Sequence, residues 1–244
     1  MLHTGIVKGM KNNLFKVVSI SDTHMQPLDK ILKGCEGDLL AIAGDMTYIG
    51  SLKQMMQFKT DLLKVRSHFK NVCWVLGNHE REMDPARGHL AGPAICQEIA
   101  KETNSDWLHN SGVTYTKNDM KFKVWGSPVT PTFFDWGFLK DRGAPIAKVW
   151  REIPEGLSIL VTHGPAHGIL DRLPWSGEHV GCEELRHRLD SMEQSPLIHI
   201  SGHIHCAHGA KLHRTPKGNS IQCYNVAICS EEYKAENPPT EFYL

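Results

Sequence analysis

The sequence predicts an α/β fold. Five short apolar, β-branched runs each end in polar residues able to bind metal, and helical patterns lie between them. Strands that alternate with helices indicate this class. No internal repeat, low-complexity tract or interdomain linker interrupts the pattern. Residues 1–244 therefore read as a single domain, with a short N-terminal extension over 1–14.

In order, the runs are Phe15–Asp22, Asp38–Asp45, Asn71–Asn78, Leu157–His163 and Leu197–His203. Apolar runs this short, followed by turn residues, are buried strands rather than helices. Lys121–Trp125 and Ile221–Ile228 are strands without a ligand at the end. Ser51–Phe69 places Leu52, Met55, Met56, Leu62, Leu63 and Phe69 near helical spacing, and Pro93–Glu102 and Cys182–Leu189 are shorter helices. In open α/β sheets ligands gather beyond the carboxyl ends of strands. The five run ends are thus expected to meet beyond one sheet edge.

A chain of 244 residues can bury roughly 70–75% of its unfolded surface, so it needs no disulfide or metal merely to hold a core. Lys plus Arg and Asp plus Glu balance at 27 each. That balance gives no general attraction to a nucleic-acid polymer or an acidic membrane, but it leaves room for one small phosphate substrate. Seven cysteines, an odd number without a CxxC pair, fit free thiols in a reducing compartment. The N-terminus has no apolar core of signal-peptide length, and no window approaches a membrane span. A cytoplasmic protein is expected.

Fifteen histidines are an unusual number, and their positions carry the argument. Asp22-Thr23-His24 puts a carboxylate and an imidazole two apart, pointing the same way in an extended segment. In Gly44-Asp45 the glycine permits a tight turn and the carboxylate can bridge two cations. Asn78, in Gly77-Asn78-His79-Glu80, offers an amide oxygen without charge. His163 opens His163-Gly164-Pro165, and His203-Ile204-His205 offers two more imidazoles.

These seven mixed oxygen and nitrogen donors suit manganese, iron, zinc, nickel or cobalt better than magnesium or calcium. They are too many for one four-coordinate zinc and suit two ions that share Asp45. Two ions roughly 3.5–4 Å apart clamp phosphate oxygens and activate water for in-line attack. His79 is left over as general acid, or as a donor to the charge on phosphorus.

Taken singly, each feature has a plainer explanation. An Asp before a turn is usually a cap, and a strand-end His is usually a surface group. Only the coincidence of five such ends is hard to explain otherwise. His205-Cys206-Ala207-His208 lacks the second pair a zinc finger needs, so Cys206 and His208 are neighbours of the main site. His167 either lines the substrate pocket or sits exposed on a loop. Arg142 and Arg172 could fork onto a phosphate. Trp125, Trp136, Trp150 and Trp175 are better read as core than as a base-stacking platform. Cys182, near a helix start, has nothing beside it to support a thiol mechanism.

The order DxH, GD, GNH(E), THGP, GHxH resembles the calcineurin-like metallophosphoesterase superfamily. Within it the chain looks like the metallophosphoesterase-domain-containing proteins of animal brain and their microbial relatives. Trp136-Gly137-Phe138, Ile153-Pro154-Glu155-Gly156, Val180-Gly181-Cys182 and Asn237-Pro238-Pro239 extend that resemblance over residues 15–244. It implies a four-layer sandwich of two mixed β-sheets flanked by helices.

The resemblance also implies that Asp22, His24, Asp45 and His205 hold one ion and Asp45, Asn78, His163 and His203 the other. Manganese is the first expectation, and Asn78 and the catalytic His79 would touch the phosphate. In the brain proteins a Gly replaces the first His of GHxH and weakens the second site. His203 is present here, which implies a complete, active centre. The protein phosphatases share GNHE, but their GDxxDRG is missing from Gly44-Asp45-Met46-Thr47-Tyr48-Ile49-Gly50.

The leading expectation is a phosphodiesterase acting on small phosphodiesters such as cyclic nucleotides. The alternatives are a nuclease or nucleic-acid end-processing phosphatase of the same superfamily, and a metal-binding scaffold with little activity.

Overall fold

The computed structural model describes residues 13–244. The proposed N-terminal extension therefore lies, save for its last two residues, outside the described residues. Strands are numbered in chain order. The first sheet contains β1 (Lys16–Ile20), β2 (Gly37–Ala43), β3 (Phe69–Val75), β4 (Asp106–Trp107) and β13 (Thr240–Tyr243), in the order β13-β1-β2-β3-β4. Its strands run parallel except for β13.

The second sheet is built from β5 (Ser111–Lys117), β6 (Met120–Ser127), β9 (Ile159–Thr162), β10 (Ile198–Ser201), β11 (Gly209–Arg214) and β12 (Ser220–Asn225). Their order is β11-β12-β10-β9-β6-β5, with four parallel strands between two antiparallel edges. Two short strands, β7 (Thr130–Pro131) and β8 (Leu139–Lys140), pair beside it.

Strand alternation sorts the core into layers. Val17, Leu39, Ala41, Ala43, Cys73 and Val75 face Val124, Ile159, Val161 and Ile200 of the second sheet. The intervening residues Val18, Ile20, Leu40, Ile42, Val72 and Trp74 face the opposite way, into a second cluster. That cluster takes in Leu28 of α1 (Leu28–Ile31), the buried stripe of α2 (Leu52–Val65), and Cys96 and Ile99 of α3 (Gly92–Glu102). On the far side Trp125, Leu160, Ile221 and Cys223 pack on α4 (Ala144–Trp150) and α5 (Glu183–Ser191). The result is the expected four-layer α/β sandwich of two mixed sheets.

The predicted helices α2, α3 and α5 form, with altered ends. The run expected to be helical through Phe69 stops at Val65, and a 3₁₀ turn over Arg66–His68 follows. The Arg66 guanidinium takes the carbonyls of Phe69, Lys70, Thr103 and Asn104, and Phe69 instead begins β3. Four residues of α1 and seven of α4 carry too little periodicity to be read from sequence.

The expectation of one sheet edge needs correction. β1, β2 and β3 belong to one sheet and β9 and β10 to the other. The carboxyl ends meet because the sheets pack face to face and are joined at that end. Ser21 donates its N–H to Val226 and accepts from Ile228, just beyond β12. His163 Nδ1 lies 2.8 Å from the carbonyl of Ala43, the last residue of β2.

Candidate metal centre

Within the first sheet Ile20 pairs with Ile42, and Ile42 with Trp74, so the three loops leave at one level. In the second sheet Thr162 pairs with Ser127 and Ile200 with Val161, which aligns the other two. All seven predicted ligand residues and His79 arrive in one cluster. All are buried except His203, which is half-buried.

Three groupings place ligand atoms close enough to hold an ion: Asp22–His24–His205, His24–Asp45–His79 and Asp45–His163–His203, each within 4.8 Å. Asp45 belongs to two of them. Asn78 joins the third, its Oδ1 2.9 Å from His163 Nε2.

The turns that bring these atoms inward are strained. Asp22, His24, Asp45 and His203 all have φ between 41° and 68°, a region that costs a non-glycine residue about 1–3 kcal/mol. Gly44 itself has φ 95°, and a Cβ on it would stand 2.6 Å from His163 Nδ1. A Cβ on Gly202 would collide with Asp22 Oδ2 and Ser21 Oγ. The glycines of GD and GH are there because the ligands on neighbouring loops occupy the space a side chain would need.

Hydrogen bonds orient the imidazoles. His24 Nδ1 donates to Thr47 O at 3.2 Å, His163 Nδ1 to Ala43 O at 2.8 Å, His205 Nδ1 to Ser230 O at 3.0 Å and His79 Nδ1 to Tyr48 O at 2.8 Å. A carbonyl can only accept, so each of these Nδ1 atoms carries a proton and each Nε2 is aimed at the centre. His24 Nε2 and His205 Nε2 face each other at 3.2 Å. Asp22 Oδ1 is buried without a hydrogen-bond partner, although His205 Nε2 is 3.3 Å away.

Imidazole nitrogens and carboxylate oxygens crowded this closely need a proton or a metal cation between them. On this donor chemistry the residues fit a pair of divalent ions.

The electrostatics agree. Burial opposes ionisation of Asp22, but His205 and His163 beside it outweigh that and hold its carboxyl at about 2. Asp45 is likewise held far below the usual range against its burial, chiefly by His163. Burial would lower His163 and His205, yet Asp45 draws the first and Asp22 the second up to about 9. Two buried carboxylates thus create a field that favours positive charge at this point.

Glu80 closes the GNHE that the protein phosphatases share. Its carboxylate accepts from the backbone N–H groups of Gly77 (2.7 Å), Thr47 (2.8 Å) and Asp45 (3.1 Å), and from Thr47 Oγ1 (2.9 Å). It ties the loop after β2 to the loop after β3.

Sequence reading also missed the aromatic wall. The Tyr233 ring centroid lies 4.6 Å from that of His24 and 5.7 Å from that of His205, and Trp136 stacks on His79. No ligand spacing marks these residues. The tryptophans divide: Trp125 and Trp150 are core, whereas Trp175 is largely exposed.

The remaining candidates have other partners. The His167 ring lies 5.6 Å from that of His179. Arg142 bonds the carbonyls of Val180 and Gly181 and pairs with Glu183, and Arg172 bonds Gly177 O. Cys206 and His208 belong to no ligand grouping among the described residues. Cys182 caps α5, and burial pushes its thiol up to about 11. All seven cysteines are free, and no helix of the described residues is long and apolar enough to cross a membrane.

Known proteins resemble this chain. Residues 15–207 match the family model of the calcineurin-like phosphoesterases. Human metallophosphoesterase domain-containing protein 1 is 33% identical over 239 residues, which span 92% of this chain and 69% of that protein. A UPF0046 protein of Caenorhabditis elegans is 29% identical over 235 residues, 94% of this chain and 75% of its own length. Among solved structures, the phosphopantetheinyl hydrolase of Mycobacterium tuberculosis superposes with a TM-score of 0.55 at 15% identity, covering 91% of this chain and 92% of that one. With the sandwich, the joined strand ends and the paired ligand groupings in place, the chain belongs to the calcineurin-like phosphoesterase family.

Proposed function

We propose that the chain, folded as one domain, is a metal-dependent phosphodiesterase that hydrolyses small phosphodiesters, cyclic nucleotides among them. One observation carries this reading: seven oxygen and nitrogen donors and His79 converge at one point, with the imidazoles of His24, His79, His163 and His205 oriented by backbone carbonyls.

Asp22, His24, Asp45 and His205 would hold one ion, and Asp45, Asn78, His163 and His203 the other. Manganese is the proposed metal, and iron, zinc, nickel and cobalt suit the same donors. When bound, the ions supply Lewis acidity toward the phosphate oxygens and the attacking water. His79 has its Nδ1–H committed to Tyr48 O, which leaves Nε2 facing the centre, 4.0 Å from Asp45 Oδ2. When protonated, it donates to the leaving oxygen, and Asn78 contacts the phosphate from the same loop. Free thiols support a reducing compartment, and we place the protein in the cytoplasm.

The test is turnover of bis(p-nitrophenyl) phosphate and of 2′,3′- and 3′,5′-cyclic nucleotides by metal-stripped protein before and after Mn²⁺ is restored. Activity returns with Mn²⁺ and is lost in Asp45→Asn and His79→Ala. Failure to cleave any of these esters would sink the reading.

A further inference from the structure

A groove of about 480 Å³ opens directly beside the metal centre, with His203 in its wall. Its other side chains are mostly apolar, among them Phe133, Phe134, Leu173, Trp175 and Pro165. Two of these aromatics are unusually open to solvent: Phe134 is 90% exposed and Trp175 65% exposed. Exposed aromatics at the mouth of a concave site are costly unless something covers them.

The rings also form a path. His203 and Phe133 lie edge to face at 5.1 Å, and Phe133 and Phe134 at 6.0 Å, so apolar surface runs outward from a metal-ligand candidate. Gly164 and Pro165, which also line the groove, directly follow His163. The aromatic path thus begins where an ester group of a phosphate at the centre would leave it.

Charge narrows the occupant. The charged side chains in the lining are Arg142 and Glu231. Arg142 is already paired with Glu183 and two backbone carbonyls. A second phosphate of a nucleic-acid chain or a polyphosphate would meet the Glu231 carboxylate and no uncompensated lysine or arginine of the lining. A flat, uncharged aromatic group gains stacking area and meets no such penalty.

We infer that the Phe133–Phe134–Trp175 groove binds the aromatic ester group of the substrate, of the size and kind of a single nucleobase. This rests on the phosphodiesterase reading and narrows it: the preferred esters carry one planar aromatic group on a single phosphate.

The test compares adenosine 5′-monophosphate with ribose 5-phosphate on Mn²⁺-loaded protein by calorimetry, alongside bis(p-nitrophenyl) phosphate turnover. The adenine should improve affinity about tenfold or more, the scale of one base-stacking contact. In Trp175→Ala and Phe134→Ala the ratio should fall toward one, and Trp175→Phe should restore most of it. Both residues are exposed, and unchanged melting temperatures would show that the variants fold.

Equal affinities in the wild type, with diester turnover intact, overturn the groove assignment alone. Loss of turnover and of all phosphate-ester binding removes the reading beneath it. A wild-type dimer that Trp175→Ala dissociates also overturns the assignment, because the patch would then be an interface between copies.

Discussion

Trp136 lies over the imidazole of His79, with ring centroids 4.3 Å apart and planes 29° apart. The Arg81 guanidinium sits 5.8 Å from the Trp136 ring, and Arg87 holds the neighbouring Asp135 and the carbonyl of Trp136. One face of His79 is thus set by a residue that is itself clamped. Tyr48 O fixes the ring's tautomer and Trp136 fixes its plane.

Trp136→Ala should lower kcat about tenfold, since an aromatic pair contributes about 0.5–1.5 kcal/mol and 1.4 kcal/mol is a factor of ten. Metal content should be unchanged, and Trp136→Phe should recover most of the rate. Steady-state kinetics with metal analysis of the same samples decides it, and a loss of metal in Trp136→Ala would instead make the tryptophan a support of the centre.

His203 belongs only to the grouping with Asp45 and His163, whereas Asp45 belongs to two. His203→Ala should therefore retain one tightly held ion of the two, and Asp45→Asn should weaken both. Elemental analysis after dialysis reads the stoichiometry. Equal metal loss in the two variants would contradict the division of ligands.

Glu80 is fully buried and accepts four hydrogen bonds from two loops. Burial and the charge of Asp45 push its carboxyl up to about 8, while the backbone donors and the Thr47 hydroxyl pull it down. Glu80→Ala strands those donors and should cost about 3–5 kcal/mol, read as a melting temperature lower by about 10 °C. A fall of only a degree or two would show that the loops hold without it.

His199 supplies the pH dependence. The Thr162 hydroxyl donates to Gly164 O at 2.7 Å, so at 2.8 Å it accepts from His199 Nε2–H. Burial, with the nearby charge of His213, lowers His199 to about 4 from the usual 6.5. Between those values the unfolded chain binds a proton that the folded chain refuses. Stability from this group is therefore complete above pH 6.5 and declines as pH falls toward 4, by about 3 kcal/mol in all. Urea titrations from pH 7 to 4 should show a shallower acid slope in His199→Leu than in the wild type. Parallel slopes would rule His199 out as the source.

The sequence by itself determined the α/β class, seven of the thirteen described strands and the candidate ligands. The short apolar runs Val17–Ile20 and Leu39–Ala43, and the chemistry of Asp22, His24, Asp45, Asn78, His163, His203 and His205, are local properties that neighbouring residues display. It could not show that those ligands come from two sheets, because no local pattern encodes which sheet a strand joins. The pairing of Glu80 with both loops, the Trp136 stack on His79 and the groove formed by Phe133, Phe134 and Trp175 were decided only by tertiary structure. Each depends on segments far apart in the chain, and a glutamate or a tryptophan looks the same in sequence whether it ends in a core, a clamp or an open wall.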